Sequence, residues 1–353
     1  MTWQDDTDAA LDDAAHRYAR ERYEFSARLR LSTAERRFNA AAWRDMAEMG
    51  WLSVATPEAH GGFGVRAASI ALLSETAGRS LINEPLIGMG ILAPFVVAHH
   101  ASGAQREMLL PPMLAGELRV ACVLGDGNFR VSEGRLSGRC EVVLDADIAA
   151  RFLIEAAGTL WLVEAEAPGV TVASYPLLDG RGAATVTLEH ASCTSLGSSD
   201  ASAVHMATAL HLAALATAAD SLGAMRAAFE LTLEHLKTRR QFGAPLGVNQ
   251  SLQHRAVDIY VRIAESRAVV NQAVASVQAE SPYAARDAHA AKSFVCESAR
   301  QALQDAVQLS GGIGITEEYA ISHYLRRVRV NEQLHGSAEE HLRAFALAPS
   351  SFH

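Results

Sequence analysis

The chain has 353 residues, 49% of them hydrophobic and 20% charged, which is typical of a folded protein with one large core or a few domains. A formal net charge of −9 argues against a dominant nucleic-acid-binding or anionic-membrane surface, so no nucleic-acid partner is predicted. The longest uncharged apolar run, 85–98, is too short to span a bilayer and contains Pro94, so no membrane span is predicted.

The N-terminal residues and the cysteines indicate the compartment. Residues 1–6 are acidic and contain no apolar segment, unlike a secretory signal or a basic transit peptide, so a cytoplasmic location is expected. The four cysteines are far apart and form no CxxC pair, which favours reduced packing residues over a zinc site or a disulfide framework. They are Cys122, Cys140, Cys193 and Cys296.

Residues 1–116 have helical periodicity and predict an N-terminal helical domain. Ser32-Thr-Ala-Glu35 has the capping-box pattern and predicts a helix that ends at Gly50. The apolar positions of that helix are Phe38, Ala42, Met46 and Met49. The glycine cluster at 61–64 lacks both common phosphate-binding spacings, so it predicts a turn.

Residues 117–197 change to a period of two. Short apolar or alternating runs are separated by Gly, Pro and Asp, which predicts a middle antiparallel β-domain. The runs are 119–124, 141–144, 152–155, 160–163, 170–173 and 184–189.

Residues 198–353 return to helical periodicity and predict a C-terminal four-helix bundle. The stretch 201–219 has no Asp, Glu, Lys or Arg, as expected of a helix buried on nearly all sides. A helix is expected to end at Gly311 and Gly312, with Thr316 capping the next one. Ser337-Ala-Glu-Glu340 is a second capping box. The predicted fold class is therefore α+β and mainly α.

The connection from Lys237 to Gln250 combines two adjacent arginines with Gly243, Pro245 and Gly247. The glycines and the proline predict a semi-rigid turn between two helices. Arginine suits bidentate phosphate contact, so the turn is a candidate anion site. The alternative is a solvated basic helix end stabilised by the helix dipole.

This connection and a second segment together resemble a known family. The motifs are Arg239-Arg-Gln-Phe-Gly243 with Gln250, then Gln308-Leu-Ser-Gly-Gly-Ile-Gly314, Glu317-Glu-Tyr319 and Arg326. They resemble the C-terminal half of the acyl-CoA dehydrogenases, and 54–64 and 109–117 resemble N-terminal parts of the same family. Those flavoenzymes oxidise the Cα–Cβ bond of an acyl-CoA thioester. A carboxylate removes the α-proton while the β-hydride passes to N5 of FAD.

The resemblance implies a set of FAD contacts that reach across a subunit interface. Arg239 corresponds to a contact with the FAD pyrophosphate of a neighbouring subunit, Phe242 and Gln250 lie along that cofactor, and Gln308, Gly311 and Gly312 contact its adenosine half. A glycine lets backbone approach a ligand closely, although Gly311 is explained equally well as a helix C-cap. Ser337 matches a family hydroxyl near the cofactor, and its capping box also accounts for it.

Two segments depart from the family pattern in the half that holds the isoalloxazine ring. Residues 124–130 stand where the family has a Pro/Gly/Ser-rich flavin loop. Residues 141–147 stand where it has a Trp-Ile-Ser/Thr strand that contacts the flavin. The ring-binding half is therefore expected to be altered.

The family's carboxylate base is absent as well. Its usual position is occupied by His335, and its less common position falls near Ala213 and Ala214. An unperturbed imidazole has a pKa of about 6.5, which suits proton transfer, so His335 is a candidate base, with a packing or interface role as the alternative. The neighbouring carboxylates are expected to face elsewhere or to cap the last helix. They are Glu332, Glu339 and Glu340.

Three functions remain open. The chain is a partner subunit of a heteromeric α2β2-type acyl-CoA dehydrogenase, a self-sufficient homo-oligomeric dehydrogenase with a displaced base, or a non-redox binding protein of this fold. The joint loss of the base and of the ring segment, with the trans-acting cofactor residues retained, favours the first. The resemblance also implies an acyl-CoA substrate, for example a bulky steroid-type CoA ester, and an electron-transfer flavoprotein as electron acceptor. No metal is predicted.

Overall fold

A computed structural model describes residues 6–32, 38–125, 127–197, 202–241 and 243–349. The chain forms two compact units. We call Met1–Leu29, Ala67–Ile82 and Ala214–His353 the helical unit, and Arg30–Arg66 and Asn83–Ala213 the mixed unit. The division into three domains at 1–116, 117–197 and 198–353 stays a prediction.

Eleven α-helices account for most of the described residues. They are α1 (Asp6–Arg22), α2 (Phe25–Ser32), α3 (Ala40–Glu48), α4 (Ala67–Arg79), α5 (Ala93–His100), α6 (Gly103–Leu114), α7 (Ser202–Thr238), α8 (Gln250–Gln278), α9 (Ala284–Ser310), α10 (Ala320–Asn331) and α11 (Ala338–Leu347). A π-helical segment, Leu86–Leu92, precedes α5. None of these helices is both long and apolar enough to cross a membrane within the described ranges.

The helical unit is built around α7, α8 and α9. Helices α8, α10 and α11 each pack on α9, and α4 packs on α8. The small side chains of α7 let its neighbours approach closely, and Ala218, Ala219 and Leu222 are fully buried. The predicted C-terminal helical bundle is confirmed.

The mixed unit contains two four-stranded sheets. Its strands are β1 (Val120–Val123), β2 (Asn128–Ser132), β3 (Arg135–Leu144), β4 (Arg151–Ala156), β5 (Thr159–Glu164), β6 (Val170–Pro176), β7 (Gly182–Ser192) and β8 (Thr194–Ser195). The strand orders are β1-β4-β5-β8 and β2-β3-β7-β6. Each predicted run coincides with part of a strand, and all pairs in these sheets are antiparallel except β1 with β4.

Two predicted caps are wrong. Helix α3 begins at Ala40 and not at Ser32, because the Asn39 side chain accepts hydrogen bonds from the backbone N–H groups of Ala41 and Ala42 at 3.1 and 3.2 Å. Ser32 is instead the last residue of α2, and residues 33–37 lie outside the described ranges.

The second wrong cap is Thr316. Helix α10 begins at Ala320 after Tyr319, with no side-chain cap. The Thr316 hydroxyl instead donates to the Ile313 carbonyl at 3.0 Å, so it closes the 3-10 turn Gly311–Ile315.

Candidate cofactor and active site

The Lys237–Gln250 connection lies at the end of the helical unit where α7 ends and α8 begins. Two very short strands, β9 (Arg240–Gln241) and β10 (Ala244–Pro245), pair across it, and the Leu246 N–H donates to the Arg239 carbonyl at 2.8 Å. The segment after α9 reaches the same end, since the Tyr319 hydroxyl donates to the Leu231 carbonyl at 3.3 Å. The two motif segments therefore meet at one end of the bundle.

Arg239 and Gln250 are both exposed at this end. The neighbouring Arg240 guanidinium donates to the Gly243 carbonyl at 3.0 Å, so Arg240 stabilises the turn. Burial and the nearby Arg239 charge lower the pKa of His235, the ring of which faces Tyr319 at 6.3 Å. The exposed guanidinium of Arg239 therefore supplies a positive charge at this end that suits an anion.

Phe242 lies outside the described residues. Its predicted place along the cofactor stays a prediction.

Gln308, Gly311 and Gly312 are exposed at the end of α9. Gly311 has φ 65° and ψ −149°, a backbone conformation that essentially only glycine adopts. Gly312 differs, because its φ is not in the left-handed region and a Cβ added there would meet nothing within 4 Å. The described part of this chain therefore requires glycine at 311 and gives no reason for it at 312.

His335 lies at the other end of the helical unit, in the turn between α10 and α11. This residue is half-buried and adopts a left-handed φ of 56°. Its carbonyl accepts a hydrogen bond from His341 Nε2 at 2.8 Å. Lys292 of α9 holds the same turn, and it is separated from Gln308 by about 24 Å along the helix axis. The structure therefore does not bring the base position together with the Arg239 and Gln308 cluster.

Ser337 also lies at the His335 end. Its hydroxyl accepts from the Glu340 N–H at 3.2 Å, and the Glu340 carboxylate accepts from the Ser337 N–H at 2.7 Å. The predicted capping box is confirmed. Ser337 is not close to the other predicted cofactor residues, and its contact with a cofactor stays a prediction.

The flanking carboxylates are held in ion pairs or caps. Glu332 pairs with Arg329 at 2.9 Å, and Glu339 pairs with Arg343 at 2.5 Å. The Ser337 cap lowers the pKa of Glu340. These carboxylates are therefore already engaged in ion pairs or in the helix cap.

The family's less common position for the catalytic base has no carboxylate in this chain either. Ala213 and Ala214 are fully buried in α7, and neither side chain can accept a proton.

The segments at the predicted ring-binding half belong to the mixed unit. Asp126 lies outside the described residues, and residues 128–132 form β2, which the sequence did not predict because its buried Phe129 stands among polar residues. Residues 141–144 are the end of β3, where Val142 is 53% exposed and Glu141 pairs with Arg139 at 2.8 Å. The side chains at 142–144 are aliphatic, so they donate no hydrogen bond to a flavin ring.

These residues fit one half of FAD better than the other. The exposed guanidinium and amides at Arg239, Gln250 and Gln308 suit pyrophosphate and adenosine, and the open backbone at Gly312 allows close approach. The aliphatic end of β3 does not supply comparable groups for the isoalloxazine ring. No group of three or more metal-ligating side chains is arranged for a metal ion in the described parts of the chain.

The sequence interpretation missed a buried polar network. Asp220, fully buried in α7, accepts two hydrogen bonds from Arg327 at 2.9 and 2.6 Å and one from the Asn331 side chain at 2.6 Å. Lys292, also fully buried, donates to the Asn331 carbonyl at 2.8 Å. The sequence signal was available, because each of these charges interrupts an otherwise apolar helical face.

Comparisons with known proteins match both helical parts of the chain. The model of the acyl-CoA dehydrogenase N-terminal domain matches residues 5–117, and that of the C-terminal domain matches residues 203–348. Acyl-CoA dehydrogenase IpdE2 from Mycolicibacterium smegmatis is 30% identical over 305 residues, which is 85% of each chain. IpdE2 from Mycobacterium tuberculosis is 30% identical over 315 residues, covering 88% of this chain and 87% of the relative.

Solved structures show the same fold over nearly the whole length. A variant of the steroid acyl-CoA dehydrogenase Tcur3481–Tcur3483 superposes with a TM-score of 0.84 at 29% identity and 96% coverage of both chains. The ChsE4–ChsE5 complex from Mycobacterium tuberculosis superposes with a TM-score of 0.87 at 24% identity, covering 98% of this chain and 99% of that one. Since the IpdE2 relatives match at 30% identity over most of both chains, this chain belongs to the acyl-CoA dehydrogenase family.

Proposed function

We propose that this chain is a subunit of an FAD-dependent acyl-CoA dehydrogenase that acts together with a homologous subunit. In this proposal the partner carries the catalytic Glu and the flavin-ring pocket. This chain supplies the contacts to the pyrophosphate and adenosine of the partner's FAD through Arg239, Gln250, Gln308 and Gly312.

The observation that carries the proposal is the separation of two features along α9. The cofactor-type residues are exposed at one end, and the turn with His335 is about 24 Å away at the other. In an assembly, the Arg239 and Gln308 end and the His335 turn of one chain therefore belong to two different sites. The glycine at 312, for which the described chain itself gives no reason, is explained if a cofactor covers it.

The chemistry is divided accordingly. FAD, when bound, accepts the β-hydride from the substrate. Arg239 neutralises the charge of the pyrophosphate, and Gln250 and Gln308 donate hydrogen bonds that orient the cofactor. The α-proton goes to the carboxylate of the partner. In this proposal His335 accepts no proton, because the carboxylate of the partner is the base.

The proposed substrate is a bulky acyl-CoA, for example a steroid-type CoA ester. Support comes from the steroid acyl-CoA dehydrogenase that superposes at 29% identity. The quaternary arrangement is supported by the ChsE4–ChsE5 complex, which shares the fold. An electron-transfer flavoprotein as acceptor and a cytoplasmic location stay predictions.

A second candidate is a homo-oligomeric dehydrogenase in which His335 is the base. It is favoured by one observation, the defined conformation in which His341 and Lys292 hold the His335 turn. A non-redox binding protein is disfavoured for nucleic acid by the net charge of −9.

The deciding experiment compares the chain purified alone with the chain co-expressed with a homologous subunit that carries the Glu and the flavin loop. We expect the lone chain to be colourless or weakly flavinated and inactive on acyl-CoA substrates. The co-purified complex should be yellow and active. A lone, fully flavinated homo-oligomer that dehydrogenates an acyl-CoA contradicts the proposal.

A further inference from the structure

The chain contains 31 Lys and Arg residues, yet Lys237 and Lys292 are its only lysines. Lys237 is exposed at the end of α7, whereas Lys292 is fully buried in α9. A buried lysine is costly unless its charge and its hydrogen bonds are compensated. Its presence in a chain that otherwise uses arginine therefore needs a specific reason.

That reason is a set of three backbone carbonyls. Lys292 Nζ donates to the carbonyls of Asn331 at 2.8 Å, Glu332 at 3.3 Å and Gly336 at 3.0 Å. The first two belong to the end of α10, where carbonyls have no partner within the helix and carry the negative end of its dipole. The third lies directly after His335. The ammonium therefore ties the end of the helix to the far side of the turn.

The turn needs this restraint, because His335 is strained. A non-glycine residue with a left-handed φ is disfavoured and persists only where surrounding contacts determine the conformation. At His335 φ is 56°. Lys292 holds the turn on both sides of this residue, and His341 Nε2 holds the His335 carbonyl itself.

An arginine could not do the same. An ammonium has three donors on one nitrogen, pointing in different directions, and it matches three carbonyls that converge on one point. A guanidinium is planar and longer, and its donors diverge. The geometry explains why lysine stands at 292.

We infer that Lys292 is a positioning residue, which presents position 335, the family's base position, in a fixed turn. The inference goes beyond the proposed function, since the turn is held in the same way whether position 335 is a base or not. Loss of flavin in an Arg239 variant tests the proposed function, and the behaviour of the His335 turn tests this inference, so the two can fail separately.

The first test uses the wild-type chain and a small amine-acylating reagent under native conditions, with the modified sites read by mass spectrometry. Because the chain has only two lysines, Lys237 serves as the reference for Lys292 in the same sample. Lys237 should react at the rate of an exposed lysine, and Lys292 at least about 100-fold more slowly, because Lys292 is fully buried and its three hydrogen bonds must open before the reagent reaches it. Similar rates at both lysines overturn the inference.

The second test compares Lys292→Met and Lys292→Arg with the matched control Lys237→Met. Two rates are measured by mass spectrometry: amide hydrogen exchange over residues 331–341, and exchange of the imidazole C2 proton of His335. In both Lys292 variants we expect both exchange rates to rise at least about ten-fold, and only in residues 331–341. The amide exchange rates of residues 259–274 of α8 should stay at their wild-type values. The Lys237 variant should match the wild type throughout.

Three outcomes overturn the inference. They are unchanged rates in Lys292→Met, an equal rise across the whole helical unit, and wild-type behaviour of Lys292→Arg. An equal rise across the helical unit would mean that Lys292 only stabilises the core. Wild-type behaviour of Lys292→Arg would mean that only the positive charge at position 292 matters. If Lys292→Met does not fold, Lys292→Gln, which keeps an amide donor, takes its place in the same comparison, and the labelling result on the wild type stands independently.

Discussion

The Nδ1 atoms of His289 and His341 lie 2.9 Å apart, which joins α9 to α11. His341 Nε2 must carry a proton, because it donates to the His335 carbonyl. In the neutral ring its Nδ1 is then the acceptor, and His289 Nδ1 is the donor. Since His341 is the only buried residue among those described in α11, this pair anchors the helix.

The His289–His341 pair predicts that the folded chain loses stability at acidic pH. Burial lowers the pKa of His341 to about 4, helped by the Lys292 and His289 charges and opposed by the hydrogen bond to the His335 carbonyl and by the Glu340 charge. Burial also lowers the pKa of His289. Because the folded-state pKa lies below the ordinary 6.5, the contribution to stability is present above pH 6.5 and is lost as the pH falls toward 4. A proton added to His341 Nδ1 would place its N–H group opposite the N–H group of His289.

The test is the urea unfolding midpoint at pH 7.5 and at pH 5. We expect the loss of stability between these values to be smaller in His341→Gln than in the wild type. His254→Gln, at an exposed position on α8, should show the wild-type loss. Equal losses in all three proteins would contradict the assignment.

Arg239→Ala should weaken FAD retention in the assembled complex by about 1.5–3 kcal/mol, the usual scale for a hydrogen bond to a charged group. The folding of the chain should change little, because Arg239 is exposed. Flavin occupancy is measured by absorbance after dialysis, with Lys237→Ala as the exposed basic control. A collapse of the melting temperature with normal flavin binding in the surviving protein would show that Arg239 only stabilises the helix end.

The two neighbouring glycines should respond differently to alanine. Gly311→Ala should destabilise the chain itself, because its φ of 65° and ψ of −149° are unfavourable for a residue with a Cβ. Gly312→Ala should leave the melting temperature of the lone chain unchanged, since the added methyl meets nothing within 4 Å. It should lower flavin retention in the complex. Wild-type flavin retention in Gly312→Ala would remove the argument that a cofactor covers this residue.

His335→Ala separates the two enzymatic proposals. If the base lies on the partner, the rate of α-proton removal in the complex should stay within a few-fold of wild type. If His335 is the base, the rate should fall by on the order of 10²–10⁴-fold. Flavin content must be matched before the rates are compared, because loss of FAD would mimic loss of the base. His335→Glu in the lone chain should remain inactive, and activity there would show that a competent ring pocket exists.

Adjacent arginines on α10 should differ in their effect on stability. Arg327→Ala leaves the fully buried Asp220 carboxylate without its main counter-charge and should destabilise the protein by roughly 3–5 kcal/mol. Arg326→Ala breaks a pair with the largely exposed Glu317 and should cost less than about 1 kcal/mol. Chemical denaturation of both variants measures the difference. Similar values would mean that burial of the Asp220 pair is not what makes it stabilising.

Periodicity predicted the order of the elements well, because the apolar stripe of α8 and the short apolar runs of β4 and β5 are decided by burial along the element itself. Helix starts were less predictable. Ser32–Glu35 has the better capping pattern, but Asn39 is the residue that caps α3. Several side chains can satisfy the same backbone groups, so local pattern alone does not select among them.

The candidate site was predictable only in part. Motif spacing selected Arg239, Gln250 and Gln308, and chain topology then brought them to one end of the bundle. The partners of Lys292 could not be found in this way, because they are the backbone carbonyls of residues 331, 332 and 336, which are distant in sequence and have no residue-type signature. Backbone partners are invisible to a search based on side-chain motifs.

The length of α9 has an evolutionary consequence. Because about 24 Å of helix separates the Gln308 end from the Lys292 end, a substitution at one end leaves the geometry of the other intact. After a gene duplication, one copy can therefore lose the carboxylate at position 335 while selection preserves its opposite end, provided that the other copy keeps the complementary half. Such copies become mutually dependent, and neither gene can then be lost alone.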